Sequence, residues 1–152
     1  MIATELRIEE CTLNITEEIR VEAPIGVTFE ALLEQLGPAN ETPDARPIPM
    51  KIEPWPGGRW FRDLGDNNGH FWANVQAIKR PTLLEFAGPL MMSSPVTNNV
   101  QYRLREEGGI TLIQFHHTAF GLVSEDHRKG VHLGWNFIHQ QARLRAERSR
   151  SK

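Results

Sequence analysis

Six histidines carry most of the chemistry this sequence offers: His70, His116, His117, His127, His132 and His139. Imidazole titrates near neutrality, so a histidine aimed into a pocket is a natural proton donor or acceptor. His116 and His117 are consecutive, and consecutive strand residues point to opposite faces, so the pair cannot hold one metal. Ile113 and Phe115 share the parity of His117. That parity turns His117 inward and His116 to solvent. His117 is therefore the candidate catalytic residue, a general acid or base for a bound polar group. The plainer reading is a core histidine satisfied by a neighbour. His132 and His139 fall on the polar flank of a late helix at i and i+7, too far apart for one ion. No metal site and no cofactor are expected.

Other side chains suit binding rather than catalysis. Asn98 shares the inward parity of Val96, Val100, Tyr102 and Leu104, and a buried amide must find partners in the protein, a water or a ligand. Trp55, Trp60, Trp72 and Trp135 offer large apolar faces with one N–H each. Phe71, Ala73 and Val75 form the apolar parity of their strand, which places Trp72 outside any cavity. Met91 and Met92 form a soft connection fit to cover an opening. Gly57-Gly58 lacks the lysine and the following helix of a phosphate loop, no G-x-S-x-G elbow occurs, and Cys11 is the single cysteine.

The elements that must position these groups follow from patterning. The 152 residues, 39% hydrophobic and 24% charged with net charge −2, suit one globular domain spanning 1–152 and no nucleic-acid partner. No apolar run reaches the length of a membrane span. Residues 1–12 read as an extension rather than a signal peptide, residues 149–152 as a frayed tail, and a cytoplasmic location is expected. Leu13, Ile15, Ile19 and Val21 alternate as a half-buried strand, and a short helix follows Pro24 and stops at Gly37-Pro38. Strands are predicted at 49–54, 59–64, 70–79, 83–87, 96–105 and 110–120, with turn residues between them. Ser124-Glu125-Asp126 opens a helix reaching about Arg148. Serial hairpins imply an antiparallel sheet and an α+β fold. The last helix carries two apolar stripes: Val131, Trp135, Ile138 and Ala142 on one side, Leu133, Phe137 and Leu144 nearly opposite. Such a helix is covered on both sides.

This pattern resembles a known superfamily. The strand Ile19-Arg20-Val21-Glu22-Ala23-Pro24 leading into a helix is similar to the opening of SRPBCC (START-like, helix-grip) domains. Gly57-Gly58-Arg59-Trp60, Trp72-Ala73-Asn74-Val75, Arg80-Pro81-Thr82-Leu83-Leu84, Thr111 to His117 and Gly134-Trp135 resemble its branch related to the heat-shock-chaperone ATPase activator. The resemblance implies a sheet of about seven strands gripping the C-terminal helix over a hydrophobic tunnel, in a superfamily that binds lipids, hormones, polyketides or aromatic compounds.

The expected function is binding of a small hydrophobic or aromatic molecule between sheet and helix. Trp60, Phe71, Val75, Phe86, Asn98 and Val100 are expected to line the site. Tyr102, Phe115, His117, Trp135 and Ile138 complete it. Two alternatives stand beside this: a cofactor-independent cyclase or hydrolase using His117, and a chaperone-linked interaction module. Leu133, Phe137 and Leu144 are the candidate homodimer surface.

Overall fold

The computed structural model describes residue 5 and residues 7–150. Much of the predicted N-terminal extension and the end of the tail lie outside the described residues. After a 3-10 turn at Ile8–Glu10 come β1 (Thr12–Val21), α1 (Ile25–Leu36), β2 (Lys51–Ile52), β3 (Arg59–Gly65) and β4 (Asn68–Lys79). Then follow β5 (Leu83–Gly88), β6 (Val96–Glu107), β7 (Ile110–Gly121) and α2 (Glu125–Ser149). The sheet is antiparallel with order β1-β7-β6-β5-β4-β3-β2, so α1 carries the chain from one edge to the other. The α+β reading holds, with a curved sheet and a long C-terminal helix.

Local chemistry accounts for the boundaries. Pro24 stands at the N-cap of α1 in an extended conformation, where its missing N–H costs nothing. Ser124 caps α2: its hydroxyl accepts from the His127 N–H at 3.2 Å, with Glu125 and Asp126 in the first turn. The predicted strand 49–54 shrinks to two residues because Pro49 and Pro54 each lack a ladder donor.

One register shift moves side chains across the sheet. Trp60 pairs with Ala73, but Phe61 pairs with Phe71, leaving Trp72 as the extra residue of a bulge. Alternation therefore breaks at Trp72, which is half-buried with its ring 5.1 Å from that of Trp60, edge to face. Phe71 turns to the outer side and is exposed. Gly88 fits here because a Cβ would lie 2.4 Å from the Trp72 carbonyl oxygen. Trp60 is fully buried, and its indole N–H donates to the Leu36 carbonyl at 2.9 Å, joining β3 to the end of α1.

Helix α2 buries Val131, Trp135, His139, Ala142 and Ala146 and packs against α1 and β1. Ile138, expected on the buried stripe, is only half-buried, and His139 takes the place expected of it. Leu133 and Leu144 are exposed and Phe137 is half-buried, so the described residues cover the rear stripe only in part, against the expectation of a helix covered on both sides. No helix among the described residues is long and apolar enough to cross a membrane.

Gly130 and Gly134 sit in the N-terminal half of α2 with ordinary helical backbone, and a Cβ at either would meet nothing within 4 Å. Each glycine raises the entropy lost on folding. Gly130→Ala and Gly134→Ala should each stabilise the protein by about 1 kcal/mol in denaturant titrations, roughly the helix-propensity difference. Destabilisation by either would refute the open space seen around them.

Candidate functional site

Two polar chains cross the space between sheet and α2, and each is built around an imidazole. The first runs from Trp135 through His117 to Asn98. Trp135 donates its indole N–H to His117 Nδ1 at 3.0 Å, and His117 Nε2 lies 2.7 Å from Asn98 Oδ1. Indole nitrogen only donates, so His117 Nδ1 must be the bare acceptor and the ring proton sits on Nε2. The Asn98 amide nitrogen then donates to the carbonyls of Gly88 at 3.1 Å and Pro89 at 3.3 Å. All three side chains are buried, and every donor is directed to an acceptor. Burial, with the nearby His116 as a lesser cause, lowers the His117 pKa from 6.5 to about 4. His117 is neutral at pH 7 and has no free nitrogen. This arrangement is that of a satisfied core histidine holding β6, β7 and α2 together.

The second chain was not anticipated. Tyr102 Oη lies 2.9 Å from His139 Nε2, and His139 Nδ1 approaches Glu17 Oε2 at 3.3 Å without the alignment of a hydrogen bond. Asn136 donates to the other Glu17 oxygen at 3.3 Å. Tyr102 is fully buried and His139 nearly so, while the Glu17 side chain keeps 18% of its exposure. Burial first, then the Glu17 charge, holds the Tyr102 phenol well above its ordinary pKa, so it stays protonated and donates. Aromatic rings enclose the imidazole: Phe115 edge-to-face at 4.4 Å and Trp135 stacked at 5.8 Å.

The sequence reading places only Tyr102 of this chain in the site. His139 was assigned to the polar flank of α2, yet it shares the buried side with Trp135 four residues earlier. Glu17 was passed over. It lies on the same parity as Leu13, Ile15, Ile19 and Val21, and an acid on an apolar strand face was the available signal.

Of the expected lining residues, Trp60, Val75, Phe86, Asn98, Val100, Tyr102, Phe115, His117 and Trp135 are buried, and Ile138 is half-buried. Tyr102, Phe115, Trp135 and His117 follow one another in a chain of aromatic contacts. Trp60 and Phe86 form a second group, with ring centroids 4.6 Å apart. Phe71 does not join them. It borders an outer groove of about 640 Å³ with Lys51, Arg59, Phe61 and Asp63, too charged to hold an apolar molecule. Met92 is buried and Met91 exposed. The Asn98 amide, expected to leave room for a ligand, is satisfied by protein carbonyls and His117. No metal-ligand cluster occurs among the described residues.

No protein-family model matches the chain, and no curated protein matches it. Solved structures do. The chain is similar to protein MLL2253 of Mesorhizobium loti, with a TM-score of 0.69 and 14% identity over 90% of this chain and 98% of that one. It is also similar to Ara h 8.0201, with a TM-score of 0.64 and 14% identity over 89% and 97% of the two chains. A third is the di-domain ARO/CYC StfQ of the steffimycin biosynthetic pathway, with a TM-score of 0.67 and 10% identity over 95% of this chain and 54% of that one. These likenesses carry the fold: a helix-grip α+β domain.

A base held neutral by burial costs stability as pH falls. Above pH 6.5 the unfolded and folded forms of His117 are both neutral and the group is silent. Between pH 6.5 and about 4 the unfolded imidazole takes up a proton that the folded one refuses, and below about 4 the loss levels off. The protein should lose about 3 kcal/mol through His117 across that window. Urea titrations of the native chain and His117→Gln should diverge in pH slope there, and parallel slopes would refute the assignment.

Proposed function

We propose that the protein binds a small, mainly apolar molecule in the grip between the sheet and α2. The observation that carries this reading is where the exposed apolar side chains lie. In an antiparallel sheet of this order, the β3–β4 turn, the β5–β6 connection, the β7–α2 connection and the start of β1 all fall at one end. Ile8, Leu64, Met91 and Leu122 are exposed at or near that end, and Leu133 lies on the early turns of α2; Phe71 and Phe120 stand at the same end but face the outer side of the sheet. Only Trp55 and Leu144 of the exposed large apolar residues described lie elsewhere. An apolar rim around the mouth of a grip suits entry of an apolar ligand.

The interior between sheet and helix is occupied by aromatic side chains, so entry requires α2 to yield. The N-terminal half of α2 buries Val131 and Trp135 and contains Gly130 and Gly134, and its movement breaks the Trp135–His117 bond and the Arg128 bonds to the Thr12 and Glu10 carbonyls. Outward movement of this half would uncover Phe115, Trp135 and Tyr102 as an aromatic bed. Each Å² of apolar surface a ligand removes from water contributes about 25 cal/mol. The di-domain ARO/CYC StfQ of the steffimycin biosynthetic pathway shares this fold, and the aromatic side chains lining the grip support an aromatic ligand.

The test is titration with 1-aminoanthracene, a neutral fluorescent aromatic probe, on the native chain and on Leu122→Asp. Saturable one-to-one binding with a negative heat-capacity change is expected. The aspartate at the rim should slow association several-fold with little change in thermal stability. Unsaturable, weak partitioning of the probe would reject the reading.

A further inference from the structure

We infer that the outer face of α2 is a self-complementary seam on which a second copy of this chain docks antiparallel, with Phe137 at the two-fold axis. Spacing, charge and shape each support this. Asp126, Gly130, Leu133, Phe137, Gln140 and Leu144 recur at alternating steps of four and three residues. They form one stripe along the side of α2 opposite buried Trp135 and Ala142. The centre of the stripe is apolar: Leu133 is 62% exposed and Leu144 38%, with half-buried Phe137 between them. A period of 3.5 residues is the pattern by which helices pair along their length.

The charges at the two ends of the stripe fit an antiparallel partner. Asp126 lies in the first turn of α2 and Arg148 in the last, and both are exposed. Neither side chain makes an ion pair among the described residues, although their neighbours do. Arg128 lies 3.9 Å from Glu125, and Arg143 lies 2.9 Å from Glu147. Asp126 and Arg148 stand equally far from Phe137 on opposite sides. A two-fold axis at Phe137 therefore sets Asp126 of each copy against Arg148 of the other. Parallel pairing would set like charges together at both ends. Antiparallel pairing also lays the positive end of one helix dipole beside the negative end of the other.

The same axis puts Leu144 of one copy opposite Gly130 of the other. A Cβ at Gly130 would meet nothing within 4 Å, so a bulky side chain faces a gap. An interface in which one patch meets itself closes at two copies instead of growing further. One helix face is a narrow interface, below the usual size for a permanent complex, so the dimer is expected to form reversibly at micromolar concentration.

Sedimentation velocity on the full chain, from about 1 to 200 µM at pH 7, tests this over the affinity range of small interfaces. The mass should rise from one chain toward two. Phe137→Glu should raise the dimer dissociation constant about tenfold or more, as loss of a central aromatic contact does. Asp126→Lys and Arg148→Glu lie at exposed positions and serve if Phe137→Glu does not fold. Each alone should weaken the dimer several-fold, and the two combined should restore it, because the opposed charges are then exchanged. A single chain at every concentration would overturn the inference, whether the stripe is bare or covered by residues 1–6 of its own chain. So would a dimer indifferent to Phe137→Glu and to the single charge reversals, or an assembly larger than two.

Discussion

The structure depends on burying two imidazoles and an indole N–H against one concave sheet. Each of these groups loses water when α2 docks, and an unpartnered one would cost more than its packing contributes. The sheet answers with Asn98 on β6 and Tyr102 on the same strand face, four residues apart and so on the same side of the pleat. Asn98 does more than satisfy His117. Its amide also holds the carbonyls of Gly88 and Pro89, which fixes the start of the β5–β6 connection. A rim loop is thus joined through two side chains to the indole of a residue in the middle of α2. The position of the helix and the position of the loop are set together.

Much of this was legible in the sequence. Alternation from Leu13 to Val21, the turn residues between strands and the cap at Ser124 each report a local backbone preference, and the elements appear where those preferences put them. His117 and Asn98 were correctly turned inward by parity alone. What the sequence hid had specific physical causes. A bulge at Trp72 inverts parity for residues before it, and nothing in Phe71-Trp72-Ala73 announces which residue will be extra. His139 was hidden by helical geometry. Positions i+3 and i+4 flank the same stripe, so the choice between Ile138 and His139 is made by the partner, not by the helix. Tyr102 and Glu17 are that partner, and they come from strands that are distant in sequence.

The outer face of the sheet explains why the polar residues of β6 do not weaken it. Glu85 on β5 accepts amide donors from Gln76 and Asn99 on one oxygen and from Gln101 on the other, each at 3.1 Å. Such cross-strand pairs contribute roughly 0.2–1 kcal/mol each and keep that face hydrated. The polar parity of β6 is therefore spent on the outer surface, and Asn98 is the amide that strand turns inward. Its partners are inside because the strand has a separate network for the outside.

The two halves of α2 are built for different tasks. Toward the C-terminus, Ala142 and Ala146 are buried where α2 meets α1, and Arg145 donates to Gln35 of α1 at 3.3 Å. Small side chains allow close approach, and close packing of two helices resists displacement. Toward the N-terminus the helix contains two glycines, buries Val131 and Trp135 against the sheet, bonds to β1 through Arg128 and Asn136, and has Leu133 exposed. His139 stands between the two halves, one turn after Trp135 and three residues before Ala142, so its contacts with Tyr102 and Glu17 join the aromatic half of the helix to the half that packs on α1.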